Sequence, residues 1–180
     1  MKLFQSRAAL EAATLLYEAI VAQARQPEFY RSLGVPDTID GRFEMIALHA
    51  FIVLHQLRAD GAGGARTAQA LFDRMFGDFD RSLREMGAGD LGVGRRVKTL
   101  AKQFYGRLAA YGRALEGSDA DLADALARNL YGGTPPDRER VAAMAAYLRR
   151  EASSVAAQDA AERQHGAVRF GAPPRLEAVS

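Results

Sequence analysis

Apolar residues recur at helical spacing along most of the chain, and the pattern is strongest over residues 71–115. At 100° per residue, the apolar residues in the first half of this stretch fall within one arc of roughly 140°. They are Leu71, Phe72, Met75, Phe76, Phe79, Leu83 and Met86. The second half places Val97, Leu100, Phe104, Leu108, Tyr111 and Leu115 on one side in the same way. The pattern predicts a hairpin of two amphipathic helices joined by a glycine-rich elbow at residues 87–92.

The rest of the chain also has helical patterns and predicts one all-α domain over residues 7–165. Residues 45–54 are apolar on every side except at His49, so a helix over about 41–59, capped by Asp40, is expected at the buried centre. A glycine-rich break at residues 60–64 separates it from the charged hairpin of about 66–115. Further helices are predicted at 7–26, 27–34, 119–131 (capped by Ser118) and 137–164. No stretch alternates as strands do, so we expect a bundle of six or seven helices followed by a flexible tail at 166–180.

The hairpin also carries a long motif, LFDxMFxDxDxxLREMGxGDLxVGxxVKxxAxxFYGRxxAY, over residues 71–111. This run resembles the signature of the ubiquinol–cytochrome c chaperone family, and the resemblance extends more weakly over residues 16–132. Members of that family assist the assembly of respiratory complex III, and its mitochondrial branch acts on newly made cytochrome b. The resemblance implies a non-enzymatic assembly chaperone without a cofactor, whose partner is cytochrome b or another complex III subunit. It leaves open a ribosome or a second assembly factor as a further partner.

Composition and targeting signals narrow the class of protein only slightly. The 180 residues include no cysteine, which excludes disulfide and thiol chemistry, and the net charge of +2 does not argue for nucleic acid. The N-terminus lacks the apolar centre of a secretory signal, and no run is long enough to span a membrane. We therefore expect a bacterial member of the family in the cytoplasm, at most peripheral at the cytoplasmic face of the inner membrane.

Three patterns that suggest small-ligand sites are better explained by helix structure. The G-x-G-x-x-G at residues 87–92 follows a helix rather than a strand, so it is not a dinucleotide fingerprint. The carboxylates Asp73, Asp78 and Asp80 are a poor cage for a metal ion, whereas Asp80–Arg84 and Asp78–Arg81 have the spacing of helical ion pairs. His49 and His55 point about 120° apart on their helix, so we expect no metal pair and a hydrogen-bonded core histidine at His49.

The charged outer face of the hairpin is the candidate functional surface. Its second helix carries six basic residues and no acidic one over residues 93–115. An acidic protein partner would use such a face for steering, while RNA or anionic lipid would use it as a cation track, and a solvated surface explains it as well. The predicted partner-binding residues are Asp73, Asp78, Asp80, Arg84, Asp90, Arg95, Lys98, Lys102 and Arg107. The alanine-rich end of the last helix is either solvent-exposed or part of a partner interface.

Overall fold

Eight α-helices make up the part of the chain that the structure describes, a computed structural model covering residues 7–85 and 90–176, with the first two residues of the second range as backbone only. They are α1 (Arg7–Ala24), α2 (Pro27–Arg31), α3 (Ile39–Ala59), α4 (Gly61–Glu85), α5 (Asp90–Glu116), α6 (Asp119–Asn129), α7 (Arg138–Ala157) and α8 (Ala160–Gln164). No strand occurs in these residues, and the predicted all-α bundle is confirmed. None of these helices is both long and apolar enough to cross a membrane.

Helix α3 lies at the centre of the bundle, as its apolar sequence predicts. It packs against α1, α4, α5 and α7, and all but one of residues 45–54 are buried. Its one imidazole in that stretch, His49, is fully buried, as predicted, and both of its ring nitrogens have hydrogen-bond partners. The helix begins two residues earlier than expected, because Thr38 caps it by accepting a hydrogen bond from the Gly41 amide at 3.1 Å. The prediction of Asp40 as the cap is therefore wrong.

The break between the central helix and the hairpin is much shorter than its glycines suggest. Helix α4 starts at Gly61, which takes a left-handed φ of 77°, so the predicted loop residues 61–64 belong to the helix. A Cβ added to Gly64 would lie 2.0 Å from the Leu57 carbonyl oxygen, so glycine is required where α3 and α4 meet. By contrast, the predicted Ser118 cap of α6 is confirmed, and it forms a full capping box with Asp121.

The predicted last helix over 137–164 is interrupted. Helix α7 ends at Ala157, Gln158 has an extended ψ of 154°, and Asp159 then caps α8 by accepting from the Glu162 amide at 2.8 Å. The helical pattern continues through this point in the sequence, but the Arg163 side chain folds back and donates to the Val155 and Gln158 carbonyls at the end of α7. These hydrogen bonds provide partners for carbonyl groups at the end of α7 and stabilise the bend.

Residues 166–176 lie against the bundle, unlike the flexible tail that we expected. The Phe170 ring packs edge-on to His49 of α3, with centroids 5.2 Å apart. The Gly171 amide donates to the buried Glu151 carboxylate at 2.8 Å, and Gln23 of α1 donates to the Gly171 carbonyl. Long-range contacts of this kind have no local sequence signal, so the packed part of the chain extends beyond 165; residues 177–180 lie outside the described residues.

Candidate partner-binding site

The hairpin of α4 and α5 is held together by aromatic side chains, as the apolar arcs predict. Phe104 is fully buried, and its ring lies 5.7 Å from Phe76 and 6.0 Å from Phe72, centroid to centroid. Such pairs add to the apolar area that the two helices bury between them. The inner face is therefore fixed, and it determines which charged residues of both helices point to solvent.

Helix α5 presents five exposed cations: Arg95, Arg96, Lys98, Lys102 and Arg113. Within the described part of the chain none of the five has an acidic partner. Three of them in the first half of the helix, Arg95, Lys98 and Lys102, fall within about 60° around its axis and are called the basic face below. Because these charges remain hydrated and unpaired, they are available to a partner of opposite charge.

An exposed aromatic residue, Tyr105, borders the basic face. Its side chain is 52% exposed, and its ring packs at 5.3 Å from Phe72 of α4. The sequence-based prediction did not include it, although Tyr105 lies within about 20° of Lys98 on the helix, while Phe104 points inward. Amphipathic rings beside cations are typical of protein interfaces, where they contribute contact area at low entropic cost.

Helix α4 presents acidic residues on the neighbouring solvent side. Asp80 accepts from Arg84 at 2.7 Å, which confirms this predicted helical ion pair, and the Arg84 guanidinium holds the pKa of Asp80 below its usual range. Asp73 is exposed and accepts from Gln69 at 2.8 Å. Both helices of the hairpin thus expose predicted charged residues, acidic ones on α4 and basic ones on α5.

Asp78 has a different role from the one predicted. Its carboxylate accepts from the Tyr17 hydroxyl at 2.9 Å and from Arg74 at 3.4 Å, rather than from Arg81. Burial raises the pKa of Tyr17 above its usual range, and the bond to Asp78 adds to the effect. Asp78 therefore connects α4 to α1, and only part of its carboxylate is open to solvent.

Arg107 also points away from the basic face. It donates through Nε to Glu44 of α3 at 2.7 Å, and its Nη2 pairs with the second Glu44 oxygen. Burial raises the pKa of Glu44, while Arg107 acts in the opposite direction. The prediction did not identify this pair, because its partners lie 63 residues apart. Two signals were present: an acidic residue beside the apolar core of the central helix, and the position of Arg107 within about 20° of the apolar Leu100 on α5.

Asp90 and the glycine-rich elbow cannot be placed on this surface. Helix α5 begins at Asp90, but the side chain of Asp90 lies outside the described residues. Met86 and residues 87–89 of the elbow also lie outside them. Among residues 7–85 and 92–176, no three His, Asp or Glu side chains cluster as metal ligands. The arrangement consists of exposed charges and one aromatic ring on a rigid hairpin, which suits recognition of a macromolecule.

Comparison with known proteins identifies the family. The family model described as ubiquinol-cytochrome C chaperone matches residues 31–170. The chain belongs to this family. The match continues past the end of α7, so the weak resemblance expected over 16–132 understated its C-terminal extent.

Relatives of this chaperone family member include a solved structure. The crystal structure of the Cbp3 homolog from Brucella abortus is 36% identical, with a TM-score of 0.82 and 92% coverage of both chains. The ubiquinol-cytochrome c reductase complex assembly factor 1 of Drosophila melanogaster is 27% identical over 77% of this chain and 56% of its own length. Protein CBP3, mitochondrial, of Saccharomyces cerevisiae is 32% identical over 58% of this chain and 32% of its own length. The chain thus spans about half of the Drosophila relative and a third of the yeast one.

Proposed function

We propose that this protein is a non-enzymatic chaperone that binds newly made cytochrome b and promotes assembly of ubiquinol–cytochrome c reductase. The observation that carries the proposal is the family match over residues 31–170, together with relatives named as assembly factors of that complex. In this role the protein acts from the cytoplasmic face of the inner membrane, where a membrane subunit exposes its loops. The client contacts then involve protein surfaces rather than a small-molecule pocket.

The docking surface in this proposal is the basic face of α5 with its neighbours on α4. Unpaired cations lose little hydration until a partner arrives, so they accelerate encounter and favour an acidic client loop. Tyr105 adds a partly exposed ring at the edge of the same face. The exposed Asp73 and Arg84 and the partly exposed Asp80 on α4 extend the surface and select against partners with the wrong charge pattern.

A charge reversal in a cell that depends on the protein tests the proposal. The double variant Lys98→Glu with Lys102→Glu is expected to fold normally, because both side chains are exposed and unpaired. It should nevertheless lower the amounts of cytochrome b and of complex III, measured from reduced-haem spectra of isolated membranes. The matched control reverses Arg31 and Arg58, two exposed cations on α2 and α3, and should support the wild-type level. If the α5 variant folds and also supports wild-type complex III, the client docks elsewhere.

A second function follows from the same exposed cations of α5, which also suit RNA or an anionic lipid surface. Binding to a polyanion would weaken steeply with added salt, because counterions are released on association. Tight, salt-sensitive binding of RNA by the purified protein would favour this alternative. Co-purification of cytochrome b in mild detergent, lost in the Lys98→Glu, Lys102→Glu variant, would favour the chaperone.

A further inference from the structure

A second surface, separate from the hairpin, is an apolar groove of about 490 Å³ between α6 and α7. Its walls are mainly alanine methyl groups, from Ala120, Ala123 and Ala127 on α6 and from Ala142 and Ala146 on α7. Pro135 and Pro136, in the connection between the helices, also line it. Alanine side chains have no rotamers to lose, and they allow another backbone to approach closely.

The direction of the groove follows from one ion pair. Arg149, in the second half of α7, donates to Asp119 at the start of α6 at 2.9 Å, while the short connection at 130–137 joins the end of α6 to the start of α7, so the two helices run antiparallel. The groove then runs from the Asp119 end to the end lined by Pro135 and Arg138. The alanine positions on α6 span seven residues, which corresponds to about 10 Å or two helical turns.

Charges of opposite sign border the two ends. Asp119 and Asp124 lie on the α6 side, and the Asp119 side chain is 87% exposed despite its contact with Arg149. Asp124 and Arg138 are exposed, and neither has an ionic partner among the described residues. The apolar groove is thus bordered by acidic residues along α6 and by a basic residue at the start of α7.

We propose that this groove docks a short apolar α-helix of a partner protein, with a basic side chain over Asp124 and an acidic one near Arg138. A helix fits because the groove lies between two helices and is lined by residues at helical spacing, whereas strand addition needs an open sheet edge. The acidic border disfavours an anionic membrane as the occupant. The proposal is independent of the basic face on α5, and the helix that it names belongs to a protein other than a second copy of this chain.

A designed peptide tests the groove directly. The probe is a fluorescein-labelled helical peptide of about 12 residues with an alanine and leucine face, a lysine near its middle to face Asp124 and a glutamate near the end that faces Arg138. Fluorescence anisotropy should show saturable binding to the full chain. Ala142→Arg, at an exposed position inside the groove, should weaken binding by about tenfold or more, because an interface core tolerates no bulky charge. The matched control Ala156→Arg, exposed on the same helix outside the groove, should bind as wild type.

A double-mutant cycle tests the charge assignment. Asp124→Asn should weaken binding of the lysine peptide but not of a peptide with norleucine in its place, since only the former has a charge to pair. The proposal is overturned if the probe does not bind, if Ala142→Arg binds as tightly as wild type, or if the cycle shows no coupling. Light scattering provides one further outcome. A wild-type dimer that Ala142→Arg converts to a monomer would show that a second copy of this chain occupies the groove, and would also overturn the proposal.

Discussion

Arg163 of α8 and Asp60, between α3 and α4, form a buried two-bond ion pair across the fold. Nε and Nη2 of Arg163 donate to the two Asp60 oxygens at 2.8 and 2.7 Å, and the side chains are only 3% and 9% exposed. The third nitrogen of the same guanidinium donates to the carbonyls of Val155 and Gln158. One side chain thus joins the C-terminal helix, the end of α7 and the turn that precedes the hairpin.

Arg163→Met should therefore destabilise the protein strongly. The substitution leaves a buried Asp60 carboxylate without its partner, which typically costs about 3–5 kcal/mol of the free energy of unfolding. Urea denaturation followed by circular dichroism measures the change. The comparison variant is Arg7→Ala, whose pair with Glu11 is 93% and 64% exposed, and it should unfold almost as wild type does. Equal midpoints for the two variants would contradict a structural role for the buried pair.

This pair also shows where sequence reasoning fails. Apolar periodicity predicted the hairpin register, because residues such as Phe104 and Phe76 repeat on one helix face and their burial follows from that face alone. Asp60 and Arg163 lie 103 positions apart, and neither stands out in its local sequence. Arg107 was likewise predicted at the surface, although it lies about 20° from Leu100 on the helix, because the sequence alone does not reveal the Glu44 carboxylate that faces it. Predictions of exposed charge are least secure where a long side chain reaches a neighbouring helix.

The hairpin core provides the next prediction. Phe104 is fully buried between α4 and α5, so Phe104→Ala should cost roughly 3–5 kcal/mol through lost burial and a residual cavity. Lys102, two positions earlier on the same helix, is exposed and unpaired, so Lys102→Ala should have almost no effect on stability. Thermal melts of both variants provide the measurement. A melting temperature for Phe104→Ala within a degree or two of wild type would indicate a wrong register.

His49 predicts how stability depends on pH. Its Nδ1 donates to the Met45 carbonyl and its Nε2 accepts from the Tyr147 hydroxyl, both at 2.8 Å, and the hydroxyl in turn accepts from Gln23. This arrangement fits the neutral imidazole, and burial lowers the pKa of His49 to about 4. Because an unfolded histidine titrates near 6.5, the unfolded chain binds more protons between pH 6.5 and 4, and stability falls as the pH drops through this window.

The His49 contribution should amount to about 3 kcal/mol by pH 4. Carboxylates also titrate there, so the measurement compares wild type with His49→Gln, which does not titrate at this position. The difference between their free energies of unfolding should change in favour of the variant as the pH is lowered from 7.5 to 4. Parallel pH profiles for the two proteins would show that His49 binds its proton equally well in the folded and unfolded chains, and would contradict a buried, neutral imidazole.

Asp78 and Asp80 lie two residues apart on α4, yet they should separate stability from function. Both are outward-facing docking residues in the prediction from sequence, but Asp78 accepts from Tyr17 of α1, and the ring of Tyr17 is buried. Asp78→Lys loses that bond and puts a cation beside Arg74, so it should destabilise the protein by roughly 1–3 kcal/mol. Asp80→Lys breaks only a surface pair with Arg84, and its melting curve should stay close to that of wild type.

The amount of complex III in cells should not follow the order of stability of these variants. If α4 contributes to the client surface, Asp80→Lys should lower complex III in cells although the protein is as stable as wild type. Tyr17→Phe is the control for Asp78, because it removes the same hydrogen bond without changing any outward charge. It should reproduce part of the destabilisation of Asp78→Lys and leave complex III unchanged wherever the protein remains folded. Complex III at the wild-type level with Asp80→Lys would confine the docking surface to the basic face of α5, because α4 would then contribute only packing.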